Sequence, residues 1–526
     1  MTKFNVTRRT FGRGLGLGLT AGAAGLFMPG IARHAMAAGA QDGGTLTVTL
    51  FKDLRTINPM MGIFGNEWRC TVNLYNNLTR LTASGGIEGD LAESFEGSDE
   101  ARTWTFTLRQ GVKFHDGSEL TSADVVATFE KMLDPETSAP YKRELGPVAS
   151  LKALSDYVVE FKLGSSFADF PKALAGATAR IVSQAGIADF DSLGTMAHGT
   201  GPFRLVEFVA NERIVMERNP NYFRSGLPHL DKVVMRILPD NTAQQAALQN
   251  QEVDVIADVD ATIFASVSAI SGVSGVSIPG GTFQNIVLLS NQAPFDNPKV
   301  REAAKYCLER TQISAVLTEN TGSPGDDHPI GASYEFHDSN IALRTPDLSE
   351  ARRLMREAGY GDGVEVDLVA ANNPASRARL AVLAQAMTGQ IGLKFNIEQM
   401  DNARYGSTVW NKGTKCYVGN YGTRPFEDAI LSKLYHSSAG IDEGRWATPE
   451  TDAMLDRARA SLDPAERRAI YSEFQRRSRD NGPFLISSFQ NSLFGVWDYV
   501  KDFPERAINT DMRLEETFLT AEAPGR

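Results

Sequence analysis

Cysteine is almost missing from these 526 residues: there are three, Cys70, Cys307 and Cys416. An odd count, spread this widely, has no metal-ligand spacing. A Cys70 to Cys416 disulfide stays open, because spacing alone does not set a pairing. Cys307 shares the stripe Val300, Ala303, Ala304, Cys307 and Leu308 and is expected in a core. The seven histidines form neither HExxH nor HxH, so a metal-enzyme or hydrolase reading would have to rest on His115, in a turn, or His436. There is no GxSxG elbow and no GxxxxGK[ST] loop, and the GRGLGLG near the N-terminus has no strand before it, which excludes a nucleotide loop there. Positive charge is in deficit, with 53 Lys and Arg against 64 Asp and Glu and a net charge of -11. Nucleic acid and anionic membrane surfaces are therefore poor partners. Outside a weakly apolar Gly/Leu/Ala run near the N-terminus, no stretch is long enough to span a bilayer. What remains, with 42% hydrophobic and 22% charged residues, is the composition of an ordinary globular chain. Its length exceeds one comfortable core and points to two or three lobes.

The N-terminus reads TRRTFGR from Thr7 to Arg13, then the Gly/Leu/Ala run to Met28, then Arg33-His34-Ala35-Met36-Ala37. Paired arginines, a mild apolar region and small residues at Ala35 and Ala37 resemble a twin-arginine export signal, with cleavage expected after Ala37. The alternative, a basic amphipathic tail, fits poorly with so much glycine. Cleavage would remove Lys3, Arg8, Arg9, Arg13 and Arg33 and no acid, taking five positive charges from the net -11 and leaving -16. No cysteine stands near the cut to carry a lipid anchor, so the expected product is soluble, unanchored and periplasmic, with no membrane insertion after cleavage.

The most informative stretch runs from Trp104 to Pro140. Trp104, Phe106 and Leu108 alternate with polar residues, as do Val112 and Phe114, and His115-Asp116-Gly117 supplies a turn, which predicts strand, turn, strand. Thr121 and Asp124 then form a capping box for a helix whose Val125, Val126, Phe129, Met132 and Leu133 make one apolar stripe, ended by Asp134-Pro135. Leu108-Arg109, Gly111-Val112, Phe114 to Gly117, Leu120-Thr121, Asp124-Val125, Thr128 and Asp134-Pro135 together resemble the signature of the periplasmic solute-binding proteins of the peptide/nickel ABC transporter family (extracellular solute-binding protein family 5, dipeptide/oligopeptide-binding type). A second block, GTGPFRLVEFVANERIVMERNPNYFRSGLPHLDKVVMRILPD from Gly199, matches the same family, and so does the helix from Asp347 ending at Gly359-Tyr360.

The resemblance implies an α/β, two-lobed periplasmic binding protein of type II, cluster C, with an extra scaffold subdomain in the first lobe. The implied layout is a signal at 1–37, lobe I at 38–282 with the scaffold at about 51–198, lobe II at 283–489, and a return to lobe I at 490–526. Strand-helix alternation after Val364 independently predicts an α/β second lobe. The implied partners are a small-molecule or peptide solute and the permease and ATPase subunits of an ABC importer. No cofactor is implied, and no bond is made or broken.

The chain departs from the family where a peptide's amino group is usually met. In GNYGTRPFEDAILSKLYHS, Gly419 to Ser437, Tyr421 replaces a tryptophan, Arg424 takes a position where related subfamilies carry Asp or Arg, and Phe426-Glu427 replaces Asp-Pro. A guanidinium there fits a carboxylate with two parallel hydrogen bonds and repels an ammonium. The expected ligand contacts are Arg424, Tyr421, Thr423, Phe64 and Asn285. The other reading of Arg424 is that it pairs with Glu427 or Asp428 and only fixes the loop. An ordinary di- or oligopeptide binder that gives Arg424 the C-terminal carboxylate is the alternative within the family, and a hydrolase or metal enzyme on this fold is the alternative outside it.

Overall fold

The computed structural model describes residues 41–525 apart from 52, 414, 440, 441 and 505–510; the expected signal at 1–37 lies outside them. The chain opens with β1 (Thr45–Leu50), whose Leu46, Val48 and Leu50 are fully buried, followed by α1 (Gly65–Leu74). A separate antiparallel sheet of four strands comes next: β2 (Ala92–Ser98), β3 (Thr103–Leu108), β4 (Val148–Ser155) and β5 (Val158–Leu163), in the order β2-β3-β5-β4. The alternation in β3 puts Trp104, Phe106 and Leu108 inside, where Phe106 meets Phe161 edge to face at 5.6 Å.

The strand expected at Val112 and Phe114 does not form. The Phe114 N–H donates to the Ser118 carbonyl and the Leu120 N–H to the Val112 carbonyl, each at 2.8 Å, closing a tight loop that buries both side chains. Strand β3 takes β5 as its partner instead. The helix α2 (Ser122–Leu133) follows with its box made: the Thr121 N–H donates to Asp124 at 2.9 Å, and Val125, Phe129 and Met132 are fully buried. The short α3 (Phe170–Leu174) packs beneath this layer.

Strands β6 (Phe203–Val209), β7 (Arg213–Arg218), β8 (Lys232–Ile237) and β9 (Val255–Ala257) complete the first half of the main sheet, with β1 between parallel neighbours β8 and β9. Then β10 (Val273–Val287) runs out of this half into a second. There the chain alternates: α4 (Pro298–Tyr306), α5 (Leu348–Glu357), β11 (Val364–Ala371), α6 (Ser376–Thr388), β12 (Leu393–Met400), β13 (Cys416–Tyr421), α7 (Glu427–Tyr435), α8 (Pro449–Ala460) and α9 (Pro464–Asn481). Parallel pairing of β11 with β12 and β13, and α6 packed on them, explains why Leu368 to Ala371 are all buried. Strand β14 (Phe484–Trp497) returns antiparallel to β10, paired from Val273 with Trp497 to Val287 with Phe484, with an irregularity between Ile278 and Thr282.

The apolar residues divide accordingly. One core draws on residues 46–278, the C-terminal segment and, from the second lobe, Phe426, and the other lobe's clusters draw on residues 283–489. The segment after β14 packs on α1, where Asn73 donates to the Met512 carbonyl and accepts from the Leu514 N–H, both at 3.0 Å. The Cys70 to Cys416 bridge is not made. Each cysteine is a buried free thiol, Cys70 against Met235 in the first lobe and Cys416 on β13 in the second, and Cys307 is in the core as expected.

Candidate functional site

The loop after β13 is tied to the crossing strand β10. The Gly281 N–H donates to the Thr423 hydroxyl at 2.9 Å, the Thr423 N–H to the Thr282 hydroxyl at 3.2 Å, and the Arg424 N–H to the Tyr334 hydroxyl at 3.1 Å. Gly281 has no room for a side chain, since a Cβ there would stand 2.8 Å from the Tyr334 ring and 3.2 Å from the Thr423 methyl. These contacts fix where Arg424 leaves the backbone.

Its guanidinium reaches neither Glu427 nor Asp428. The Glu427 carboxylate is buried, accepts from the Phe336 N–H at 2.7 Å and lies 3.8 Å from Lys172. Asp428 takes the Arg459 Nε on both oxygens at 3.0 Å and the Ser432 hydroxyl besides. Arg424 pairs instead with Glu144 of the first lobe, Nη1 to Oε1 at 3.3 Å. Burial pushes the Glu144 carboxyl above the ordinary range, while Arg424 and Lys433 pull it back.

This contact borders a cavity of about 140 Å³ between the lobes. Trp68, Val72 and Tyr141 form an apolar wall, Arg180 and Arg513 stand on the first-lobe side, and Thr423 and Arg424 on the other. Trp68 and Tyr141 meet edge to face at 5.3 Å. Arg180 is buried, donates to the Thr71 hydroxyl and to the Trp68 carbonyl, and leaves its Nε without a partner. Among the described residues no carboxylate pairs with it, and burial lowers its guanidinium to about 9, with Asp511 opposing. A charged donor held like this favours an incoming anion. Arg513 is compensated by Asp511 at 2.8 Å and by the nearby Asp90 and Glu515. A second cavity of about 570 Å³ lies on the far side of Arg424 and Pro425, against Arg143, Phe167, Lys433 and Arg459.

Of the expected contacts, Arg424 and Thr423 line the first cavity and the other three do not. Asn285 is fully buried and donates to Glu443 at 3.2 Å, Tyr417 donates to the same carboxylate at 2.7 Å, and Tyr421 turns inward toward it. These three form a network inside lobe II because β10 and β13 pair in the register that sets Asn285 opposite Gly419. Phe64 caps α1 beneath the Arg55 guanidinium, 4.7 Å from its ring. The residues that sequence reasoning passed over are Glu144, Arg180, Lys433 and Arg513. Arg180 left one signal, a lone cation in the apolar run from Ala173 to Val182, where a charge is expected to be paired or functional.

The two histidines singled out above have structural partners. His115 holds the Gly201 carbonyl at 3.1 Å and burial lowers it to about 4. His436 lies 3.3 Å from Asp456 and accepts from the Ser438 N–H at 3.1 Å. Among the described residues, no helix is long and apolar enough to cross a membrane and no group of three or more metal-ligating side chains gathers.

Residues 86–442 match the family model for bacterial extracellular solute-binding proteins, family 5. The chain is 28% identical over 444 residues to the glutathione-binding protein GsiB of Salmonella typhi, an alignment covering 81% of this chain and 86% of that one. Among solved structures, the binding protein AgaA from A. tumefaciens R10 in complex with agropinic acid is 26% identical with a TM-score of 0.70, covering 90% of this chain and 99% of that one. The murein tripeptide binding protein MppA in its unliganded open form is 16% identical with a TM-score of 0.82, covering 92% and 98%. The chain belongs to the bacterial extracellular solute-binding proteins, family 5, and is the solute-binding component of an ABC importer.

Proposed function

We propose that this protein captures a small carboxylate-bearing solute between its lobes in the periplasm and hands it to a membrane permease. The observation that carries this reading is Arg180, a buried guanidinium without a carboxylate partner among the described residues, on the wall of a cavity that Arg424 borders from the other lobe. The two cavities together present six Lys and Arg side chains against three carboxylates, in a chain whose net charge is -11. A cleft of opposite sign to the whole molecule concentrates anions locally. Glutathione, named for the GsiB relatives, and agropinic acid, named for AgaA, both carry carboxylates.

In this reading Arg424 is the lobe II contact and Thr423 its positioning residue, Tyr421 and Asn285 support the loop through Glu443, and Phe64 only caps the helix that carries Trp68. Ligand touching both lobes draws them together, a population shift driven by contacts available only in the closed form. The structural hydrogen bonds of His115 and His436 support binding rather than bond breaking. The paired arginines at the N-terminus support twin-arginine export, and the lack of a nearby cysteine supports a product free of a lipid anchor.

The test is thermal unfolding of the mature protein against glutathione, dipeptides, organic acids and C-terminally blocked peptides. Ligand at about a hundred times Kd adds roughly 2.7 kcal/mol to stability. A shift with carboxylates that disappears in Arg424→Ala and Arg180→Gln bears the reading out. A shift with blocked peptides that survives both substitutions sinks it, and leaves a peptide binder that works through main-chain contacts.

A further inference from the structure

The second cavity holds charge that the first does not account for. It lies beyond Arg424 and Pro425, and Ser165, Ser166 and Phe167 of the first lobe face Ser432, Lys433 and Arg459 of the second across it. Its two carboxylates are already engaged, Asp428 by Arg459 and Ser432 and Glu144 by Arg424. That leaves Lys433 of α7, a half-buried ammonium with no carboxylate paired to it among the described residues. Its surroundings compensate it only in part: the Glu144 and Glu443 carboxylates act on it without forming an ion pair, the Tyr421 ring centroid is 5.9 Å from Nζ, at the outer limit of a cation–π contact, and Arg424 carries the same sign. Burial first, and Arg424 second, push the Lys433 ammonium below its ordinary value. A desolvated cation beside a like charge is costly in the empty cleft and is relieved by an anion. The two cavities share Glu144, Arg424 and Pro425 as lining and so adjoin across the Arg424–Glu144 pair. Their volumes of about 140 and 570 Å³ together fall within the roughly 300–1,000 Å³ of small-molecule sites.

We propose that Lys433 forms a second anion subsite, so that the solute is an extended dicarboxylate with one acidic group against Arg180 and Arg424 and the other held by Lys433 in the far cavity. This rests on the carboxylate reading above and narrows it from one carboxylate to two. Ser165 and Ser166 supply neutral donors at that end, and Arg143, exposed at the rim, draws the second charge inward.

The test is titration calorimetry of the mature wild type, Lys433→Met and Lys433→Arg with glutathione, glutarate and γ-glutamyl dipeptides, each against its monoester. The wild type should prefer diacid over monoester by about tenfold or more, as expected for one charge-assisted contact. Lys433→Met should lose that preference while its monoester affinity stays at the wild-type level, and Lys433→Arg should keep most of it. A wild type that treats diacids and monoesters alike, or a Lys433→Met protein that keeps the preference, overturns the second subsite and leaves the carboxylate reading standing. Failure of every anion to bind the wild type overturns both.

Discussion

The Arg424 guanidinium lies 3.3 Å from the Glu144 carboxylate, and the two residues belong to opposite lobes. Both are partly exposed, 27% and 45%, so the pair is worth at most about 1 kcal/mol and holds the lobes without locking them. It also sets an internal carboxylate on the group that a ligand's carboxylate has to reach. Glu144→Gln is expected to raise affinity for a carboxylate ligand by up to about fivefold, the equivalent of that 1 kcal/mol, measured by calorimetry at low salt. A fall in affinity would show that Glu144 contacts the ligand rather than competing with it.

Thr423 acts on Arg424 through the backbone. Thr423→Val keeps the shape and removes the hydroxyl that accepts from the Gly281 N–H. The expected result is weaker binding together with a stability loss of roughly 1–3 kcal/mol, because the buried Gly281 N–H is left without its acceptor. An unchanged Kd would show that the loop needs no such anchor.

A second contact between the lobes centres on a buried ion pair. Arg467 of α9 pairs with Asp169, the Ala168 N–H donates to the Arg459 carbonyl at 2.7 Å, and Phe167 meets Phe426 edge to face at 5.6 Å. Asp169→Asn leaves a buried guanidinium without its counter-charge, a change that costs about 3–5 kcal/mol in comparable pairs. Urea denaturation should show a lower midpoint with the slope unchanged. A wild-type midpoint would mean that Phe336 and Tyr471, whose ring centroids lie 5.0 and 5.6 Å from the Arg467 guanidinium, are support enough.

Acid should weaken the fold before most carboxylates titrate. Burial lowers both His115 and His328 from 6.5 to about 4. Between those values the unfolded chain binds protons that the folded one refuses, so stability rises with pH across the window and is lost as pH falls through it. Each histidine contributes on the order of 3 kcal/mol by this route. His115→Gln, which retains a donor toward Gly201, should flatten the pH dependence between about 6.5 and 4. An unchanged slope in His115→Gln and in His328→Asn would refute the assignment.

Much of the fold was legible residue by residue. The alternation of Trp104, Phe106 and Leu108, the box of Thr121 with Asp124, the cap at Asn297 before Pro298, and Gly359 at positive φ after α5 all depend on neighbours a few positions away. Val112 and Phe114 misled because a short apolar alternation fits a buried loop as well as a strand, and the long-range partner of β3 settled the matter. The site was harder to read. Arg424 is legible as the cation of its loop, but its partner lies 280 residues away, and Tyr421 and Asn285, on the two strands that flank that loop, point into the lobe.

The sequence by itself determined most of the elements and their ends, because these rest on backbone preference and local apolar periodicity, while the two-lobed architecture and the cation in the loop after β13 were what its resemblance to the family implied. Only the tertiary structure decided which charges confront one another. Glu144, Arg180 and the segment that carries Arg424 and Lys433 are far apart in sequence, and whether each charge is paired or left wanting an anion depends on side-chain direction and desolvation, which exist only once the long loops between them have closed.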